Sequence, residues 1–92
     1  MSRPIKPRFI ERKPRVSKFS PRGNRGRPNY VVLKLEEFEA LRLTDLRNLS
    51  QTDSAKSMRI SRQTFGRILN KARRIIANAL INGKIIVIKK RP

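Results

Sequence analysis

The sequence predicts a small, mainly α-helical domain: a three-helix helix-turn-helix unit with a basic N-terminal arm. Two observations lead to this prediction. A long amphipathic segment follows a shorter helical segment after a gap of only a few residues, and 24 lysine and arginine residues stand against 6 acidic ones in 92 residues. We assign residues 1–30 to the arm and residues 31–92 to the helix-turn-helix domain, with helices at about 35–46, 51–58 and 62–82. A net charge of +18 favours a polyanionic partner.

The segment 62–82 has the pattern of one long amphipathic helix. Its apolar residues recur at the i, i+3, i+4 spacing that gathers side chains on one side of a helix. They are Phe65, Ile68, Leu69, Ala72, Ile75, Ile76, Ala79 and Leu80. Ser61 stands at the N-cap position, where its hydroxyl accepts a hydrogen bond from a free backbone N–H. Gly83 can adopt the left-handed conformation that ends a helix.

A shorter helix is predicted over residues 51–58, with Ser50 as its N-cap. Ala55 is small enough to let a second helix cross closely. Since only residues 59–61 separate the two helices, the pair has the sequence form of a helix-turn-helix. Arg59 stands where such a turn favours a residue that tolerates positive φ, most often glycine.

The first helix is predicted over residues 35–46. Its buried face would comprise Leu35, Phe38 and Leu41, with Leu46 as a further candidate. Three glutamates, Glu36, Glu37 and Glu39, lie near its start, where we expect them to be solvated and to complement the positive end of the helix dipole. The β-favouring runs 30–33 and 85–88 flank the helices and allow a short two-stranded β element.

Several classes of function are excluded or disfavoured by composition. The absence of cysteine and histidine removes disulfides, thiol and imidazole catalysis and zinc-finger ligation. The remaining side chains form no catalytic constellation, so we expect no enzymatic activity, no cofactor and no metal. An uninterrupted apolar run of about 18 residues, as a transmembrane helix requires, is also missing. We therefore expect no membrane partner and a cytoplasmic, nucleoid-associated location.

Five sequence blocks carry a resemblance to a known family. They are RPIKPR at 3–8, FSPRG at 19–23, VVLKLEEFEALRL at 31–43, DLRNLSQ at 45–51 and ISRQTFGRIL at 60–69. Together they resemble a small prokaryotic family of uncharacterised, predicted DNA-binding proteins, whose helix-turn-helix is similar to region 4 of sigma factors. The resemblance covers almost the whole chain and implies DNA binding. This sequence departs from the family at Arg59, where relatives tend to have glycine, and in its basic C-terminal tail, which is often acidic in relatives.

The second helix of a helix-turn-helix meets base edges through its N-terminal part. In this sequence, the residues that this arrangement would place in the major groove are Arg62, Gln63, Gly66, Arg67 and Asn70. Arginine pairs bidentately with guanine and glutamine with adenine, while Gly66 lets the helix approach closely. Candidate phosphate contacts are Ser50, Gln51, Thr52, Ser61, Thr64, Lys71 and Arg74. The alternative is a solvated helix face that contacts only phosphates.

The arm contains five prolines that exclude a continuous helix. Residues 1–30 either form a solvated tail or contact phosphates or a minor groove, as the basic arms of other DNA-binding proteins do. The basic residues that would make those contacts are Arg3, Lys6, Arg8, Arg22, Arg25 and Arg27. Large apolar residues, among them Phe9, Ile10 and Phe19, indicate that part of the arm packs onto the domain or onto a partner chain.

We therefore expect a sequence-specific double-stranded DNA-binding protein that regulates transcription. A homodimer is a plausible assembly, because a single motif reads few base pairs and a two-fold operator extends the site. Two alternatives stay open: a basic protein associated with RNA or the ribosome, and a sigma-like adaptor that docks on RNA polymerase.

Overall fold

Helices pack against one face of a small β-sheet in the computed structural model, which describes residues 8–23 and 28–90. The strands within these ranges are β1 (Lys18–Phe19), β2 (Tyr30–Leu33) and β3 (Ile85–Ile88), and the α-helices are α1 (Leu35–Leu41), α2 (Gln51–Ser57) and α3 (Arg62–Asn82). The predicted mainly α-helical class is confirmed. Helices α2 and α3 begin and end within one residue of the predicted bounds, whereas α1 ends at Leu41, before the predicted residue 46.

The first helix changes its geometry halfway along. After α1 the chain continues as a π-helical segment, Arg42–Leu46, which closes when the Arg47 N–H donates to the Arg42 carbonyl oxygen at 3.0 Å. A π-turn takes one more residue than an α-turn and so rotates the residues that follow. Leu43 enters the core, whereas Leu46 is 76% exposed. The suggestion that Leu46 completes the buried face is therefore wrong.

The β element has three strands in the described part of the chain, in the order β1-β3-β2. Strand β2 pairs with β3 in parallel, with Val31 opposite Ile86 and Leu33 opposite Ile88. This is the pairing that we expected between the two strands that flank the helices. Strand β1 adds a further, antiparallel neighbour of β3 and comes from the segment assigned to the arm. The C-terminal strand β3 thus lies between two strands from the N-terminal part of the chain, β1 and β2.

One face of the sheet is covered by helices. Residues at paired positions point to the same side of a sheet, so Phe19, Leu33, Ile86 and Ile88 share this face. Leu33 and Ile88 are buried with Ala72 of α3, and the partly buried side chains packed around them include Phe38, Leu41, Ile75, Ile76 and Ile86. The C-terminal half of α3 therefore rests on the sheet.

A second apolar cluster holds the three helices together. Its buried members are Ala40, Leu43, Ala55, Met58, Phe65, Ile68 and Leu69. Ala55 lies at the contact between α2 and α3, as its small size predicted. Its neighbour Ser54 is also fully buried, and its hydroxyl is satisfied by a hydrogen bond of 3.1 Å with the Thr44 hydroxyl. The core thus accepts a polar residue because that residue has a partner.

The starts of α2 and α3 and the end of α3 have the caps that the sequence predicted. The Ser50 hydroxyl accepts a hydrogen bond from the Asp53 N–H at 3.0 Å, and the Ser61 hydroxyl accepts one from the Thr64 N–H at 3.0 Å. Gly83 ends α3 with φ of 63° and ψ of 42°, the left-handed conformation in which glycine has no side-chain clash.

The N-terminal segment from residue 8 to residue 19 packs along the domain. The Phe9 N–H donates to the Met58 carbonyl oxygen at 3.1 Å, and the Ile88 N–H donates to the Ser17 carbonyl oxygen at 2.8 Å. Between these points Pro14 is buried. These residues belong to the folded unit, in agreement with the packing that the apolar side chains of the arm indicated.

Two glutamates of α1 are buried, which corrects the expectation that they are solvated. Glu37 is 2% exposed and accepts the Lys34 N–H at 2.8 Å, while Glu39 is 0% exposed. The Glu39 carboxylate accepts hydrogen bonds from the Arg42 side chain, at 2.6 and 3.0 Å, and from the Glu11 N–H at 2.9 Å. The sequence pattern of α1 could not show that the N-terminal segment crosses this face. Glu36 stays partly exposed and pairs with Arg8 at 2.6 Å.

The turn between α2 and α3 contains a strained residue in contact with the N-terminal segment. Arg59 has φ of 58°, so the position does require the left-handed region, as its place in the turn predicted. Its guanidinium carbon lies 4.4 Å from the centroid of the Phe9 ring, a cation–π contact. This contact offsets part of the steric cost that a side chain has in that conformation.

We expect Glu39→Ala to lower the free energy of unfolding by about 3 kcal/mol, because it leaves the largely buried Arg42 guanidinium without its main partner. Urea denaturation measures the change. Glu36→Ala is the matched control, since it removes a carboxylate of the same helix from a more exposed ion pair and should cost less than about 1 kcal/mol. Equal losses in the two variants would contradict the anchoring role of Glu39.

A double-mutant cycle tests the contact between Phe9 and Arg59. The single variants Phe9→Ala and Arg59→Gly both remove it, and glycine adopts positive φ without strain. We expect the two changes in unfolding free energy to be non-additive by about 0.5–1 kcal/mol, the range of a partly exposed cation–π pair. Strictly additive effects would show that the ring and the guanidinium do not stabilise each other.

Candidate nucleic-acid interface

The outward face of α3 carries the residues predicted to read bases. Arg62, Gln63, Arg67 and Asn70 are all exposed, and at the 3.6-residue repeat of an α-helix they lie on one side. The opposite side of the same turns is formed by Phe65, Ile68, Leu69 and Ala72, which are buried. The core therefore holds the polar face outward along the first half of the helix.

Gly66 lies in the middle of this outward face. A Cβ atom built at Gly66 would lie 3.2 Å from the Arg62 Nη1 atom and 3.9 Å from the Gln51 Oε1 atom, and both neighbours are ends of flexible side chains. Packing within the described part of the chain thus does not require glycine here. The ends of the Arg62 and Gln51 side chains take up the space beside Gly66, and both can move to let another molecule approach the helix backbone.

The candidate phosphate contacts surround this face at the starts of α2 and α3 and along α3. Ser50, Thr52, Ser61, Lys71 and Arg74 are exposed, and Gln51 and Thr64 are partly buried. The Ser61 hydroxyl accepts from the Thr64 N–H and donates to the Thr64 hydroxyl at 2.9 Å. Its proton is therefore used within the cap, whereas the Thr64 hydroxyl keeps its own proton for an external acceptor.

The ion pairs among the described residues gather around the first helix and the residues that follow it. Ion pairs join Arg8 to Glu36, Arg42 to Glu11 and Glu39, Arg47 to Glu11, and Arg73 to Asp45. Each of them includes α1, the π-helical segment or the residue that follows it. The Arg73 guanidinium hydrogen-bonds Asp45 and holds the pKa of that carboxyl below its usual range. Arg73 is thereby the one arginine of α3 with a carboxylate partner among the described residues.

The other cationic side chains of α3 have no carboxylate partner among the described residues. Within residues 8–23 and 28–90, no carboxylate lies at ion-pair distance from Arg62, Arg67, Lys71 or Arg74. The outward face of α3 is thus a positively charged surface that also carries the amide groups of Gln63 and Asn70. Hydrogen-bonding side chains on a cationic helix are suited to a polyanion that presents donors and acceptors in a groove.

The basic residues assigned to the arm divide into two groups. Arg8 pairs with Glu36 on α1, away from the outward face of α3, and Arg22 is exposed after β1. Arg3, Lys6, Arg25 and Arg27 lie outside the residues that the structure describes. The structure therefore brings together the candidate contacts of α2 and α3 but does not add Arg8 to them.

The last turn of α3 differs from the prediction. Leu80 was assigned to the buried stripe, but it is 74% exposed, and its neighbour Ile81 is exposed as well. At 100° per residue, Leu80 lies at the border of the apolar stripe. Its burial therefore depends on whether a neighbouring element packs over that border. The assignment of Leu80 to the core is wrong.

The residues that the structure describes contain no group of three or more histidine, cysteine, aspartate or glutamate side chains that could hold a metal ion. None of their helices is long and apolar enough to cross a membrane.

Comparison with known proteins gives a family but no activity. The chain is 51% identical over 89 residues to a UPF0251 protein of Caldicellulosiruptor bescii, with 97% of this chain and 62% of the relative covered. A UPF0251 protein of Chlorobaculum tepidum is 47% identical (95% and 58% covered), and one of Vibrio vulnificus is 43% identical (96% and 89% covered).

The chain thus spans about three fifths of the length of the first two relatives. No solved structure matches it. The family described as "Protein of unknown function DUF134" matches residues 1–91. The chain belongs to this family.

Proposed function

We propose that this protein binds double-stranded DNA with sequence preference and regulates transcription, with α3 in the major groove. One observation carries the proposal: the outward face of α3 presents cations without carboxylate partners, together with amides, on a helix whose opposite side is locked into the core. A rigid helix with this surface is the reading element of helix-turn-helix proteins. The proposal includes no catalytic step and no cofactor, and it implies a location on the nucleoid.

The base contacts follow from side-chain chemistry. Arg62 and Arg67 each offer two parallel donors to the O6 and N7 atoms of guanine, and Gln63 and Asn70 each offer a donor and an acceptor to adenine. All four side chains are exposed. They lie within the first three turns of α3, and the N-terminal part of a recognition helix is the part that contacts base edges.

Phosphate contacts would supply most of the affinity. Lys71 and Arg74 lie further along the outward face, and Thr52 and Thr64 lie near the starts of α2 and α3. Each neutralised phosphate releases counterions, so contact with about eight phosphates gives a log–log salt slope of roughly −7. Binding should therefore fall steeply with ionic strength.

RNA and RNA polymerase are the competing partners. Sequence-specific RNA recognition relies on exposed aromatic rings that stack with bases. Among the described aromatics, Phe9 and Phe19 are 41% and 54% exposed, but neither belongs to the outward face of α3, and Arg59 covers one side of the Phe9 ring. Tyr30 is the most exposed ring in this part of the chain. A duplex partner therefore fits the surface better.

The test is a binding selection from random duplex DNA near physiological salt, with structured RNA as competitor and with RNA polymerase assayed separately. We expect a recovered motif, which a homodimer would make palindromic. Arg67→Ala should weaken binding to that motif by about 1–3 kcal/mol and relax preference at one base pair.

Arg73→Ala is the matched control for Arg67→Ala. It removes one cation from the same helix, but a cation that pairs with Asp45, so base preference should be unchanged. Three outcomes would each contradict the proposal. The selection could recover DNA without a common motif, the RNA competitor could displace the DNA, or the protein could bind only RNA polymerase.

Gly66→Ala should raise the stability of the protein while weakening its binding to DNA. Alanine has a helix propensity that is better than that of glycine by about 1 kcal/mol, and only flexible side chains need to move. We expect a higher melting temperature and weaker binding to the selected duplex, because the new methyl group holds α3 away from the bases. Unchanged duplex affinity in this more stable variant would show that α3 does not approach DNA at Gly66.

A further inference from the structure

A groove of about 610 Å³ is lined by none of the residues that form the outward face of α3. Its floor is apolar and comes from three parts of the fold: Phe38 and Leu41 of α1, Ile76 of α3, and Ile86 of the sheet. A volume of this size lies within the range of small-molecule binding sites, about 300–1,000 Å³. The groove is therefore large enough for a ligand with an extended apolar body.

The charged groups at the rim of the groove leave a net positive charge. Arg42 and Asp45 line it, but Arg42 is engaged by Glu39 and Asp45 by Arg73. Arg12, Lys13 and Arg15 line it too, and none of these three has a carboxylate at ion-pair distance in the described part of the chain. Three free cations thus border an apolar surface.

The segment that carries these cations is held on both sides. Before it, the Glu11 N–H donates to the buried Glu39 carboxylate at 2.9 Å. After it, the Ser17 carbonyl oxygen accepts the Ile88 N–H at 2.8 Å, and strand β1 follows. Pro14 is buried between Lys13 and Arg15. The cationic rim is therefore a positioned wall of the groove.

We propose that this groove binds a single-chain fatty carboxylate. The alkyl chain lies on the apolar floor, and the carboxylate accepts hydrogen bonds from Arg12, Lys13 or Arg15. A neutral apolar ligand would leave the cations at the rim without a partner, and a small inorganic anion would leave the apolar floor in water. This inference is independent of DNA binding, because it concerns another face of the domain.

The experiment is a titration of the full chain with sodium dodecanoate below its micelle concentration. Calorimetry gives affinity and stoichiometry, and NMR of isoleucine methyl groups gives the place of binding. We expect one molecule per chain and the largest shifts at Ile76 and Ile86. Octanoate should bind more weakly, by about fourfold for each methylene group that leaves the apolar floor, and dodecyltrimethylammonium should not bind.

Matched charge variants separate the groove from general attraction of anions to a basic protein. The double variant R12A/R15A should weaken dodecanoate binding about tenfold, as expected for the loss of two charge-assisted contacts at the rim. R67A/R74A removes the same charge from the outward face of α3 and should leave dodecanoate affinity unchanged.

All four arginines are exposed, so neither double variant should alter the fold. Equal weakening in the two double variants, an affinity that does not depend on chain length, or methyl shifts away from Ile76 and Ile86 would overturn the proposal.

Discussion

The apolar stripe of α3 is the constraint on which the rest of the structure depends. Its N-terminal half packs Phe65 and Leu69 into the cluster formed with α1 and α2, and its C-terminal half packs Ala72 against the sheet. One helix of 21 residues thus serves both apolar clusters. Because both halves are anchored, the outward face in the first half of α3 keeps one orientation relative to the core.

The placement of the carboxylates decides which cations stay unpaired. The few carboxylates are used largely on the side of α1, where Glu39 anchors both Arg42 and the N-terminal segment through Glu11. The cations on the outward face of α3 are left without intramolecular partners among the described residues. In a chain of net charge +18, the outward face of α3 therefore carries positive charge that no nearby carboxylate offsets, as the groove rim at Arg12, Lys13 and Arg15 also does.

Much of the candidate interface followed from local rules. The N-caps Ser50 and Ser61, the helix end at Gly83 and the positive φ of Arg59 depend on residues within a few positions of each other, and all of them are found in the structure. The exposed side of α3 also followed from the 3.6-residue period, except for Leu80 at the border of the stripe. Such features can be predicted because a short segment contains all the groups involved.

The sequence by itself determined the helices, their caps, the helix-turn-helix arrangement and the excess of positive charge. Tertiary structure decided which polar groups are buried and what the N-terminal segment does. Glu39 is buried because residues far away in sequence cross it, and strand β1 exists because β3 has a free edge beside that segment. The groove bordered by Arg12 and Arg15 arises in the same way. Contacts between distant segments depend on how whole elements pack, and a local pattern does not contain that information.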